Sequence, residues 1–167
     1  MNKTNKNKVW ILGPCSMESK RLFLDSLKKI DSIMSPTDEW YMKASFDKAN
    51  RTSLHGGRGP GLEYAKEVWA EAKSKYPNVK FITDVHEVHQ VEQLIGHVDV
   101  LQIPAFLCRQ TDLIVESAKY FDKINIKKGQ WLENPSTRLR KQILTVKLGC
   151  ATEALISVIM ICLLILE

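Results

Sequence analysis

Positions 43 to 53 read Lys-Ala-Ser-Phe-Asp-Lys-Ala-Asn-Arg-Thr-Ser. Those eleven positions hold two lysines, one arginine, one aspartate, one asparagine and three hydroxyl side chains. Lysine supplies a point charge and arginine a planar fork, two means of holding phosphate or carboxylate. A solvated charged loop has a similar composition, so the block alone does not decide. The repetition of the pattern does more. Four other apolar runs end in polar clusters: Gly-Pro-Cys-Ser-Met-Glu (13–18), Thr-Asp-Val-His-Glu (83–87), Cys-Arg-Gln-Thr-Asp (108–112) and Lys-Lys-Gly-Gln (127–130).

The elements that must position these clusters alternate in type. Val9–Gly13, Trp40–Phe46, Lys80–Val85, Val98–Ala105 and Lys123–Lys127 are strand-like. Between them, Lys20–Met34 carries Phe23, Leu27, Ile30 and Met34 at helical spacing, with Ser19 as its N-cap. Leu62–Lys75, Val88–Ile95 and Asp112–Tyr120 complete the helices. No hairpin turn joins neighbouring strands, so parallel strands with helical crossovers are expected. Every polar cluster follows a strand, which brings them to one rim of the sheet. Barrels and open doubly wound sheets both place their sites there.

The chain has 167 residues, 44% hydrophobic and 26% charged, with a net charge of +5. That suits one soluble globular domain with a real core. Lysine and arginine are interleaved with acidic residues and form no aromatic-rich basic stripe, so no nucleic-acid partner is expected. The four cysteines (15, 108, 150 and 162) form no CxxC pair, and Met1–Lys8 does not lead into a signal-peptide core. A reducing cytoplasm is the expected compartment. From Glu133 the character changes. Pro135–Lys147 is basic, and Ala154–Leu166 is apolar at every position except Ser157. Thirteen residues fall short of the roughly 20 of a membrane span, so membrane attachment is not expected. The expected division is therefore 1–132 and a divergent tail, 133–167.

Taken in order, Gly13–Ser19, Lys43–Arg51, Arg58-Gly-Pro-Gly-Leu62, Thr83–Glu87, Gln102–Asp112 and Asn125–Gln130 closely resemble the 3-deoxy-D-manno-octulosonate 8-phosphate synthases. The resemblance covers Val9 to Leu132. It implies a (β/α)8 TIM-barrel fold. A full barrel takes roughly 250 residues, so about the first five βα units are expected here. It also implies condensation of phosphoenolpyruvate with arabinose 5-phosphate and water, in a cytoplasmic enzyme forming tetramers. The sister family that makes 3-deoxy-D-arabino-heptulosonate 7-phosphate from erythrose 4-phosphate shares the Gly-Pro-Cys opening. It usually carries Lys-Pro-Arg-Thr-Ser after the second strand, where this chain has Lys43–Arg51. The alternatives are that enzyme type and a catalytically silent fragment.

The resemblance implies roles residue by residue. Lys43, Lys48 and Lys127 would surround the phosphate and carboxylate of phosphoenolpyruvate, with Ser45 and Gln102 adding neutral hydrogen bonds. Asp84 would orient a lysine or the acceptor's hydroxyls. Asn50, Arg51 and Thr52 would hold arabinose 5-phosphate, Thr52 standing where the family usually has serine. Arg109 and Gln110 would lie near a protomer contact and reach the sugar phosphate.

Cys15 occupies the position that divides this family. Members with cysteine use a divalent metal such as Mn, Fe or Zn, and members with asparagine do not. The family's other ligands, a His, a Glu and an Asp, have no equivalents after Leu132, and no histidine follows His97. On this reading the chain alone is expected to be inactive. His86 and His89 are three apart, not the four of HExxH, and read as supporting or surface residues. Gly56–Gly61 reads as a mobile loop rather than a phosphate cradle, since Pro60 has no N–H to donate.

Overall fold

In a computed structural model, which describes residues 9–49, 51, 53, 55–127 and 129, short and largely apolar runs, covered on both faces, build five strands. They are β1 (Val9–Leu12), β2 (Glu39–Lys43), β3 (Lys80–Asp84), β4 (Val100–Ile103) and β5 (Ile124–Ile126). The helices α1 (Lys20–Ile33), α2 (Leu62–Lys75), α3 (Val88–Gln93) and α4 (Thr111–Tyr120) alternate with them. All neighbours pair in parallel in the order β1-β2-β3-β4-β5. The strands are shorter than the apolar runs in which they lie. Residues such as Phe46 and Ala105 have already left the ladder and begun the loops.

One face of each strand meets the helices. Trp10, Leu12, Met42, Phe81, Leu101, Ile103 and Ile124 share a core with Phe23, Leu27 and Ile30 of α1, Val68 and Trp69 of α2, and Leu113 and Ile114 of α4. Ser19 caps α1, its Oγ accepting from the Leu22 N–H at 3.2 Å. Gln90 does the same for α3, its Oε1 accepting from the backbone of His86 and Glu87.

The opposite face is concave. Ile11, Tyr41, Ile82 and Val100 form a second, smaller apolar layer there. Beneath it the Lys123 ammonium donates to Glu39 at 2.7 Å and to the Tyr41 hydroxyl at 2.8 Å. In a flat sheet β5 and β2 would stand three spacings apart, roughly 14 Å, too far for a lysine to bridge. The sheet therefore curls, and the five strands form a half-barrel with helices outside. The C-terminal ends of the strands converge on one rim. The segment 133–167 lies outside the described residues. Among those described, no helix is long and apolar enough to cross a membrane.

Candidate functional site

Strand register assembles the polar rim. Asp84 on β3 pairs with Gln102 on β4, and Gln102 with Asn125 on β5. Lys43 closes β2 one position further round, opposite Ile82. These side chains point to the concave face, above the apolar layer. Ser45 follows β2 and is held by the Met17 N–H, which donates to its carbonyl at 2.9 Å.

The result is a continuous buried network. Asn125 Nδ2 donates to Gln102 Oε1 at 2.8 Å, and Gln102 Nε2 donates to Asp84 Oδ1. The Ser45 hydroxyl donates to Asp84 Oδ2 at 2.7 Å and accepts from Lys43 Nζ and Lys48 Nζ, both at 2.8 Å. One serine oxygen thus uses its proton and both lone pairs. The two ammonium nitrogens lie 3.6 and 3.5 Å from Asp84 Oδ2. Lys43, Ser45, Lys48, Asp84 and Gln102 are all less than a tenth exposed.

Burial dominates the electrostatics of Lys43 and brings its pKa from 10.5 down to about 8, against the opposing pull of Asp84. Burial also works to raise the Asp84 carboxyl. Lys43, Lys48, the Ser45 hydrogen bond and Lys127 outweigh it, so the acid stays below its ordinary value. Cys15 stands at the outer lip, exposed, and its carbonyl accepts from Lys43 Nζ at 3.4 Å. Partial burial pushes its thiol up, but Lys48 and Lys43 together pull it lower. Lys127 lies half-buried just after β5, anchored by its N–H to the Ile103 carbonyl at 3.0 Å. Among the described residues three lysines face one carboxylate, Asp84, so this rim carries excess positive charge.

Two tight approaches seat this rim. Gly13 has φ +142°, and a Cβ there would collide with the Lys43 backbone. Gly59, at φ +115°, similarly approaches the Phe46 carbonyl. The loop between β2 and α2 is fastened to itself. Arg58 forks onto Asp47 with two hydrogen bonds of 2.6 Å, and the Lys48 N–H donates to the Arg58 carbonyl. Within 56–61, Gly56 N–H donates to Ser53 and Gly61 N–H to Phe46, so those amides do not face a ligand.

Sequence reasoning named Lys43, Ser45, Lys48, Asp84 and Gln102, and the structure brings them into direct contact. Other named residues do not join them. Arg51 is exposed and donates to the Gly57 carbonyl at 3.0 Å. Arg109 and Gln110 are exposed in the turn before α4. Asn50 and Thr52 lie outside the described residues. Sequence reasoning assigned nothing to Asn125, although its polar side chain between Ile124 and Ile126 was the available signal. His86, read from the sequence with His89 as a supporting or surface residue, is half-buried, with its ring edge-on to Phe46 and its Nδ1 unpaired among the described residues. His89 is exposed and pairs with Glu87.

The metal expected from Cys15 does not find a cage in this region. Among the described residues no group of three His, Cys, Asp or Glu side chains could hold an ion. Asp84 is already occupied by two lysines, a serine and a glutamine.

Comparison with known proteins places the chain. Residues 2–156 match the DAHP synthetase I family, extending past Leu132. The 2-dehydro-3-deoxyphosphooctonate aldolase of Wolinella succinogenes is 47% identical over 151 residues, 87% of this chain and 55% of the relative. That of Campylobacter jejuni subsp. doylei is 49% identical over 132 residues, 78% of this chain and 49% of the relative. The Helicobacter hepaticus protein of the same name is 46% identical over 151 residues, 87% and 54% of the two chains. The chain thus spans about half the length of the curated relatives it matches. A parallel half-barrel with a lysine-rich rim, together with the match over 2–156, establishes that this chain belongs to the DAHP synthetase I family.

Proposed function

We propose that the rim binds phosphoenolpyruvate and serves the condensation of this enol phosphate with D-arabinose 5-phosphate. The observation that carries the reading is the buried Lys43–Ser45–Lys48 cluster, clamped to Asp84 where the strands end. A small ligand with a phosphate and a carboxylate supplies the negative charge that three lysines against one carboxylate call for. The similarity to proteins named 2-dehydro-3-deoxyphosphooctonate aldolase supports an aldol-type, carbon–carbon bond-forming reaction in 3-deoxy-D-manno-octulosonate biosynthesis.

In this reaction C3 of phosphoenolpyruvate attacks the aldehyde carbon of the sugar, whose oxygen takes a proton and becomes a hydroxyl. Water adds to C2, and the bond between C2 and the phosphate oxygen breaks. The products are the eight-carbon keto acid phosphate and inorganic phosphate, so atoms balance. The chain's own groups bind and orient. Lys43 and Lys48, fixed on one serine oxygen, hold the anion without reorganising. Lys127 approaches from β5 and Gln102 lies between. Arg51 and the residues beside it, with Arg109 and Gln110, are the proposed sugar-phosphate contacts. Arg51, Arg109 and Gln110 are exposed, outside the buried cluster, which suits contact with a second anion. Cys15 is proposed as a metal ligand only together with ligands from outside the described residues. A tetramer and a cytoplasmic location are proposed on the same resemblance.

The test is phosphoenolpyruvate binding to the full chain by isothermal titration calorimetry, followed by phosphate release with and without arabinose 5-phosphate. Binding that is lost in Lys43→Met and Lys48→Met supports the reading. A folded chain that does not bind phosphoenolpyruvate, or binds it equally in both variants, overturns it. Binding without sugar-dependent phosphate release favours the silent fragment.

A further inference from the structure

We propose that Asn125 is a positioning residue: it supplies the donor that the Gln102 carbonyl needs once Asp84 has taken the Gln102 NH2 group, and so secures the amide that holds Asp84 and the two lysines in register. Its functional consequence rests on the phosphoenolpyruvate reading above.

The argument runs along the hydrogen bonds. Asp84, ionised between Lys43 and Lys48, can only accept. Gln102 must therefore present its NH2 group to Asp84 Oδ1, as it does. That choice turns the Gln102 carbonyl away, toward β5. Gln102 is fully buried, so the carbonyl cannot find bulk water and needs a donor. The residue in register on β5 is Asn125, and its Nδ2 donates at 2.8 Å. An amide flips by rotation about one bond, at no cost in volume. Only its partners decide the orientation.

A carboxylate at position 125 would keep the shape and reverse the demand. It would draw the Gln102 NH2 group to itself and swing the carbonyl against Asp84. Asp84 would lose a donor and face an acceptor. Asp84 Oδ2 also holds the Ser45 proton, and the Ser45 oxygen holds both ammonium groups. A polarity error on β5 thus reaches β2, three strands away, through four hydrogen-bonded side chains. Asn125 itself need touch no substrate.

The test compares Asn125→Asp, which is isosteric, with Asn125→Leu, which only removes the donor. In the ligand-free chain labelled with 15N-glutamine, the two Gln102 side-chain protons are assigned by their loss in Gln102→Met. They should be strongly inequivalent in the wild type, because one is held by a carboxylate and the other is not. In Asn125→Leu Asp84 still takes one of them, so they should stay inequivalent, with a smaller shift from the lost donor at the Gln102 carbonyl. In Asn125→Asp the pair should shift further, and phosphoenolpyruvate affinity should fall by about tenfold or more, below that of Asn125→Leu. A purely packing role predicts the reverse order, since Asp preserves shape and Leu does not. Unchanged Gln102 signals in Asn125→Asp overturn the proposal whatever happens to binding. Should Asn125→Asp fail to fold, unchanged signals in folded Asn125→Leu do the same. The expected signals in a wild-type chain that does not bind phosphoenolpyruvate uphold the positioning role and sink the binding reading alone.

Discussion

Lys43 gives the sharpest prediction, because its titration should move stability and binding in opposite directions. Its pKa falls from 10.5 in the unfolded chain to about 8 in the folded one. The folded state therefore binds fewer protons than the unfolded state between these values, and stability rises with pH across that window. Integrated from pH 8 to 10.5, this single group adds about 3 kcal/mol as the buried ammonium loses its charge. Anion binding needs that charge. Near pH 7 the protonated form outnumbers the neutral one by about ten to one, and near pH 9 the ratio is inverted. Phosphoenolpyruvate affinity should therefore fall by about tenfold between pH 7 and 9, where the ligand's own charge is constant. The assay is calorimetric binding at half-unit pH steps, paired with urea unfolding on the same samples. Lys43→Met should bind weakly with no inflection near pH 8 and lose the alkaline gain in stability. Affinity and stability falling together above pH 8 would refute the reasoning, because that is the signature of a site lost to unfolding.

Other outcomes follow from the same network. Asp84→Asn removes the acceptor that two buried lysines share and should destabilise the chain by roughly 3–5 kcal/mol in urea unfolding, with Lys43 titrating still lower. Gly13→Ala adds a Cβ against the Lys43 backbone at a positive φ, and should cost ~3 kcal/mol or more and weaken phosphoenolpyruvate binding; an unchanged unfolding midpoint would contradict the close approach. Iodoacetamide at pH 7.5 should label exposed Cys15 well before buried Cys108, and Lys48→Met should slow Cys15 labelling by ~3-fold or more, read by mass spectrometry.

What the sequence determined by itself was the parts and their order. Strand-forming runs and amphipathic helices alternate with turns between them. Ser19 declares the start of α1, so parallel β/α architecture was legible from local chemistry. Clusters such as Lys43–Lys48 were legible as a site because every one follows a strand, and parallel strands send their ends the same way. Local pattern does not contain register. That Asp84, Gln102 and Asn125 stand side by side depends on how β3, β4 and β5 slide against one another, and residues up to 41 positions apart meet there. The curl that lets Lys123 reach Glu39 and Tyr41 was equally invisible, because twist accumulates only once strands pair. So was the environment of Lys43. A lysine in a charged loop and a lysine sealed above an apolar layer share one letter, and only burial beside Lys48 and Asp84 brings its proton within reach of neutral pH.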